Sequence, residues 1–243
     1  MSFEAERNAI QHLLDRRNPT DAIAVYYAFY HPAQRTQIIT YPQKTNRAEG
    51  YIAVSRTGLD LFRPLVTMRL PDKDRHAGAE LLSAALSEGT DVILYAPVAY
   101  EPLLQAFFEM QTAEQLQLLV LDRDRFEPVI NIHVTQAVGP NGLPRFVIRS
   151  PQDHSQVAAT SGLNWQTPNF AELSVNTSAG QRRQGWGRSV LAAMVQQVLE
   201  TGRTPLYVAS EQNDASLRLA QSVGFVDSGQ RLIFAQAVRR KAL

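Results

Sequence analysis

The segment Ser178-Ala-Gly-Gln-Arg-Arg-Gln-Gly-Trp-Gly-Arg-Ser-Val-Leu-Ala-Ala-Met-Val195 constrains this chain most, because it sets a glycine-bearing turn between a strand pattern and a helix pattern. Upstream, Phe170-Ala-Glu-Leu-Ser-Val-Asn-Thr177 reads as a half-buried strand; downstream, Val190, Leu191, Met194, Val195 and Val198 recur at helical spacing. Gly185 and Gly187 therefore stand at a helix start. There a missing Cβ lets a ligand approach the main chain, and the first-turn N–H groups have no helical partner. The helix dipole adds about half a positive charge at that end, and Arg182, Arg183 and Arg188 add formal charges around it. The expected partner of such a turn is a pyrophosphate.

Other readings compete for these residues. A Walker loop needs a Gly-Lys-Ser/Thr ending, which occurs nowhere in the chain. A dinucleotide fingerprint would need a third glycine at Val190 and an early βαβ unit, and fits poorly. A plain connector, in which the two glycines only permit a tight strand-to-helix turn, stays open on this segment alone.

A second segment narrows the choice. Asn213-Asp-Ala-Ser-Leu-Arg-Leu-Ala-Gln-Ser-Val-Gly-Phe225 follows the apolar run Pro205-Leu-Tyr-Val-Ala209. The ordered set Arg182-x-x-Gly185-x-Gly187, then a strand, then Asn213-x-x-Ser216-x-x-Leu219 and Gly224-Phe225, resembles the GNAT superfamily of acyl-CoA-dependent N-acyltransferases over roughly the last hundred residues. The resemblance implies an α/β fold with a mixed, mostly antiparallel twisted sheet flanked by helices. It also implies acetyl-CoA, or another acyl-CoA, as co-substrate. Val175, Asn176 and Thr177 would pair their backbone with the pantetheine arm. The loop of Arg182, Arg183, Gln184, Gly185, Trp186, Gly187 and Arg188 would cradle the pyrophosphate, and Asn213 and Ser216 would lie near the pantetheine. Asn213 is equally readable as the cap of its helix, and Trp186 as an apolar shelf.

The chemistry requires a base, since an alkyl ammonium is almost wholly protonated at neutral pH. Glu172, the only acidic residue between Asp153 and Glu200, is the leading candidate; burial between Phe170 and Trp165 would raise its pKa. A surface carboxylate or the partner of a structural arginine is its plainer reading. The tyrosine that the family supplies as general acid is replaced by Ala220, and neither Ser216 nor Tyr207 is assigned in its place. That gap motivates the rival reading, a catalytically weak acyl-CoA-binding sensor or interaction module.

Composition excludes other classes. With no cysteine, the chain has no disulfide, thiolate metal site or cysteine nucleophile, and its five histidines lack ligand spacing, so no metal is expected. The N-terminus has no basic-then-apolar leader and every apolar run is short, which predicts a cytoplasmic protein with no membrane partner. Lys and Arg number 13 against 17 Asp and Glu through Glu127, and 11 against 6 after it. The positive half carries the glycine turn. Its arginines gather at one loop and at the Arg239-Arg-Lys241 tail, which reads as a solvated end, so a polyphosphate suits the chain better than nucleic acid.

The remaining pattern suggests two related domains, 1–127 and 128–243. Helices are expected over Glu4–Arg16 and from Thr20 or Asp21 to Tyr30, strands over 35–41, 49–55 and 65–70, and a helix over 77–86. Then follow a strand at 91–96, a helix at 102–109 and a strand at 115–121. Strands at 129–135 and 145–150 flank a hairpin signal at Gly139–Pro144; 157–162 and 170–177 lead into the glycine turn, and 232–237 ends the chain. Leu70 to Leu82 echoes the glycine turn, Arg75 matching Arg182 and Gly78 matching Gly185, with Glu80 where Gly187 would be; a carboxylate there would repel a phosphate, so the first copy is expected to bind no cofactor. The acceptor is expected to be a small-molecule or peptide amine, with Asn164, Trp165, Arg149, Tyr207 and Thr57–Pro64 available to line its cleft. Asp60 and Arg63 read as a structural ion pair. The chain is expected to be a monomer or a homodimer.

Overall fold

The computed structural model describes residues 2–71, 75–139 and 141–241. The chain forms two compact units, Met1–Leu116 with Arg231–Leu243, and Gln117–Gln230. This differs from the sequence division at 127/128 at both ends of the second segment, because two long strands each serve both units.

The first unit opens with α1 (Phe3–Ile10), capped by the Ser2 hydroxyl, which accepts from Ala5 N at 3.3 Å. The helix expected to reach Arg16 instead tightens into a 3₁₀ turn at Gln11–Leu13. The second expected helix is a 3₁₀ turn at Pro19–Asp21, a short α2 (Ala22–Val25) and a π turn at Tyr26–Tyr30. Strands β1 (Thr36–Tyr41), β2 (Gly50–Ser55) and β3 (Leu65–Arg69) pair antiparallel in turn. After α3 (Arg75–Ala85), β4 (Asp91–Pro97) pairs parallel with β3. Then come α4 (Glu101–Phe107) and the start of β5 (Phe108–Leu121). Leu81, Leu82 and Leu86 of the α3 region bury against Ile52, Val66, Met68 and Leu94.

The second unit takes the end of β5, then β6 (Thr135–Val138), β7 (Pro144–Arg149), β8 (Val157–Gln166) and β9 (Phe170–Thr177), an antiparallel series. Residues 129–134, expected as strand, form loop and turn closed by Val134 N on Asn131 O; Pro140 of the expected hairpin lies outside the described residues. The chain continues through α5 (Trp186–Glu200), β10 (Thr204–Ser210) parallel to β9, α6 (Asp214–Gln221) and β11 (Phe225–Arg239). Leu191, Met194, Val195 and Val198 of α5 pack on Leu163, Ala171 and Leu173, so helical and strand periodicities meet in one core.

Sheet order is β1-β2-β3-β4-β11-β5 in the first unit, through the second half of β11, and β11-β5-β10-β9-β8-β7-β6 in the second, through the second half of β5. Ile233, Ala235 and Ala237 are thus buried in the first core, and Leu119 and Leu121 in the second. The tail read as solvated is instead tied down: the Arg239 guanidinium donates to Phe107 O and Ser83 Oγ and lies 4.6 Å from the Phe107 ring centre, and Arg240 Nε donates to Phe108 O.

The repeat is visible in the packing. A Cβ on Gly78 would sit 3.3 Å from Leu103 Cδ2 of α4, and one on Gly187 would sit 3.3 Å from Leu219 Cδ2 of α6. Both helix starts therefore close against the helix that follows, and Glu80 pairs with His76 at 3.2 Å. Asp72–Asp74 of the matched stretch lie outside the described residues. The parallel pairs end at Val66/Leu94 in one unit and Leu173/Tyr207 in the other, which sets Leu65 in the register position of Glu172.

Candidate active site

The site grows from a divergence of two strands. β9 and β10 pair from Phe170/Thr204 to Leu173/Tyr207 and no further, although β9 runs on to Thr177, still paired on its other edge with β8 as far as Ala159. One edge of residues 174–177 is left without a strand partner, which is where an extended amide chain can add.

Beyond β9 the turn bends through Arg183 at φ 63° and Gly185 at φ 78° before α5 begins. Gly185 is the helix N-cap, and a Cβ there would meet open space, so its value is the left-handed backbone. Gly187 acts differently from the expectation of ligand approach: a Cβ would fall 2.9 Å from Thr177 Oγ1 as well as on Leu219, so its bareness lets the helix start close against β9 and α6. Ser189 N bonds back to Gly185 O at 3.1 Å, and the first-turn amides before it, at Trp186, Gly187 and Arg188, have no ladder partner by helix geometry.

These parts enclose a cleft of about 590 Å³. Val175, Asn176, Thr177, Arg182, Arg183, Gly185, Trp186, Gly187, Arg188, Asn213 and Ser216 line it, joined by Gln181, Ala215 and Leu219. Gln184 does not line it; its amide donates to Gln181 Oε1 at 3.2 Å. Arg182 Nε and Arg188 Nε reach Thr177 O and Ser222 O, and among the described residues no carboxylate pairs with Arg182, Arg183 or Arg188. Asn213 serves as both cap and wall: its Oδ1 accepts from Ser216 N at 3.1 Å. Trp186 packs beside Ile148 and Val190 while facing the cleft.

Glu172 lies outside this lining. It is 8% exposed, and its carboxylate accepts from Trp165 Nε1 at 2.9 Å and Asn164 Nδ2 at 2.6 Å. Asn164 is exposed and sits where the β8–β9 register shifts between Leu163 and Trp165. Burial pushes the Glu172 pKa above the ordinary carboxylate value, and the two donors pull against that shift without cancelling it. Leu173 faces α5, so Glu172, Ser174 and Asn176 belong to the opposite face.

The sequence left the hydroxyls near Ala220 unassigned. Ala220 is buried in the core, while Tyr207 OH lies 2.8 Å from Ser216 Oγ, and Ser216 lines the cleft. Burial raises the Tyr207 pKa, offset in part by the Ser216 bond, and so keeps the phenol protonated. Of the acceptor-side candidates, Arg149 donates to His154 O, and Asp60 and Arg63 form an ion pair at 3.0 Å.

Among the described residues no three His, Asp or Glu side chains gather as a metal site, and no helix is long and apolar enough to cross a membrane. Residues 151–233 match the family model for GNAT acetyltransferase. No curated protein matches the chain. Among solved structures, a Drosophila protein is similar over 98% of this chain and 96% of its own, with a TM-score of 0.70 at 14% identity. A tandem GNAT protein from the clavulanic acid biosynthesis pathway is similar over 99% and 95%, with a TM-score of 0.62 at 11% identity. A protein named as a GNAT-family acetyltransferase, from Novosphingobium aromaticivorans, is similar over 78% and 89%, with a TM-score of 0.58 at 14% identity. Likeness at these identities shows the fold.

Proposed function

We propose that this chain, whose residues 151–233 match the family model for GNAT acetyltransferase, transfers an acetyl group from acetyl-CoA to an amine. The observation that carries this reading is the cleft itself: an unpaired strand edge at 174–177 runs into a helix start surrounded by three arginines that have no acidic partner among the described residues. Amides and guanidinium groups are the donors a pyrophosphate needs, and the strand edge offers the pantetheine amides a ladder. Val175, Asn176 and Thr177 would hold the arm, Arg182, Arg183 and residues 185–188 the pyrophosphate, and Asn213 and Ser216 the far wall.

The thioester supplies the acyl group. Glu172, acting through a water, accepts one proton from the substrate ammonium and frees the nitrogen to attack the thioester carbonyl carbon. Ser216, backed by Tyr207, gives a proton to sulfur as the C–S bond breaks and recovers one as the nitrogen loses its second proton. The products are an amide, the free thiol and one proton released to solvent. The raised pKa of Glu172 suits a base at neutral pH, and the Tyr207–Ser216 pair offers what Ala220 lacks.

The test combines calorimetric titration of CoA with a thiol-release screen of amines. CoA binding should weaken about tenfold or more in the Arg182→Ala/Arg183→Ala/Arg188→Ala protein and weaken further with salt. Thiol release should require an amine and should fall in Glu172→Gln with CoA affinity retained. CoA binding with no amine-dependent release under any acyl donor would instead support a sensor.

A further inference from the structure

A second cavity of about 350 Å³ lies against the cleft, sharing Val175 and Asn176 with it. Arg145, Thr160, Gly162 and Ser174 form part of its remaining wall, with Gly139, Asn141 and Leu163 completing it. The strand register explains the space: Arg145 pairs with Gly162, and Gly162 pairs with Ser174, so three side-chain positions stand in a row and the middle one is bare. A Cβ on Gly162 would meet Arg145 Cγ, Pro144 O and Ser174 Oγ, all at 4.0 Å. A larger side chain would therefore fit the backbone and fill the hollow. Glycine weakens a strand interior, and here it leaves the middle of the row between Arg145 and Ser174 open.

Arg145 is the charge in that hollow. It is half-buried, its Nε donates to Thr160 Oγ1 at 2.6 Å, and no carboxylate pairs with it among the described residues. Held by Nε, a guanidinium keeps its two terminal nitrogens free as a parallel pair of donors, the geometry that matches a carboxylate. Alternation along β9 puts Ser174 on the same face as Glu172, two residues away, and opposite the face that α5 covers. We infer that this cavity is the acceptor site and that Arg145 selects amines carrying a carboxylate a few bonds from the nitrogen. A single cation among neutral walls suits one carboxylate better than a phosphate, which would draw more donors.

The inference rests on the acyl-transfer reading, and its test separates the two. Amino acids, β-alanine and γ-aminobutyrate are each compared with their carboxamides and phosphonate analogues as acceptors from acetyl-CoA. The best acid should have a KM about tenfold or more below that of its carboxamide. Arg145→Ala should bring that ratio to about one, and Arg145→Lys should restore part of it. Gly162→Val should raise KM for the acid, with acetyl-CoA affinity as the control for folding. In parallel, the N-acetyl amino acids are titrated into the CoA-bound protein by ligand-observed NMR. Arg145-dependent binding without thiol release would sink the transfer reading and leave the pocket standing. Thiol release that is indifferent to the carboxylate or to Arg145 would overturn the pocket, as would tighter use of the phosphonates. Neither release nor binding would overturn both.

Discussion

At the scale of single residues, Glu172 shows a conflict between stability and chemistry. Its pKa in the folded chain is raised by burial, so the folded state holds the proton more tightly than the unfolded chain does. Its stabilising contribution is therefore complete below the unfolded carboxylate pKa and is lost as pH rises through the higher folded value. The ionised form that catalysis needs appears over the same rise. The acid limb of kcat should accordingly lie above the ordinary carboxylate value, and Glu172→Gln should abolish that limb; a pH–rate profile of both proteins checks this. Tyr207→Phe should lower kcat about tenfold or more while CoA affinity holds, since Ser216 keeps the wall but loses the hydroxyl behind it. The arginine turn, Asn213 and the candidate base were legible in the sequence because each sits in a local pattern. Arg145 was not. Its meaning depends on Gly162 in the next strand and Ser174 in the one after, and the local clue was a glycine inside the strand segment Ala159–Leu163.

At the scale of elements, the helix starts repay comparison. Gly78 and Gly187 make the same close approach to a leucine of the following helix, but Gly187 also abuts the short side chain of Thr177. Gly187→Ala should cost about 1–3 kcal/mol by overpacking, whereas Gly78→Ala, which meets only the flexible end of Leu103, should cost less; urea unfolding of the two variants measures the difference. Element types were readable where burial imposes a period, as in α5 and β9. They were misread where it does not. Residues 109–115 of β5 are largely exposed and polar, so a backbone ladder, not an alternating face, makes that half of the strand. Residues 227–229 of β11 are exposed too, with Gly229 at φ 78°. The 19–30 stretch carries helical composition, yet it opens as a 3₁₀ turn at Pro19 and is divided among three helix types.

At the scale of the whole molecule, the duplicated order of strands and helices was visible from the sequence, but the ownership of the last strand was not, because long-range pairing leaves no local mark. Ile233 is 1% exposed within the core of the first unit although it lies more than a hundred residues from that unit's other strands. Ile233→Ala should destabilise by about 2–5 kcal/mol, and hydrogen exchange should report the loss in residues 50–108 before it reaches α5. A chain ending at Gln230 should lose the protection of the same residues.

The crossing of β5 and β11 also bears on how such a chain can be divided. A segment cut out at the midpoint would leave Leu119 and Leu121 behind and carry away a tail whose apolar side chains belong to the opposite half. Neither piece would be a miniature of the parent. Co-expressed, however, the halves should reassemble, each lending the other the closing ribbon of its sheet.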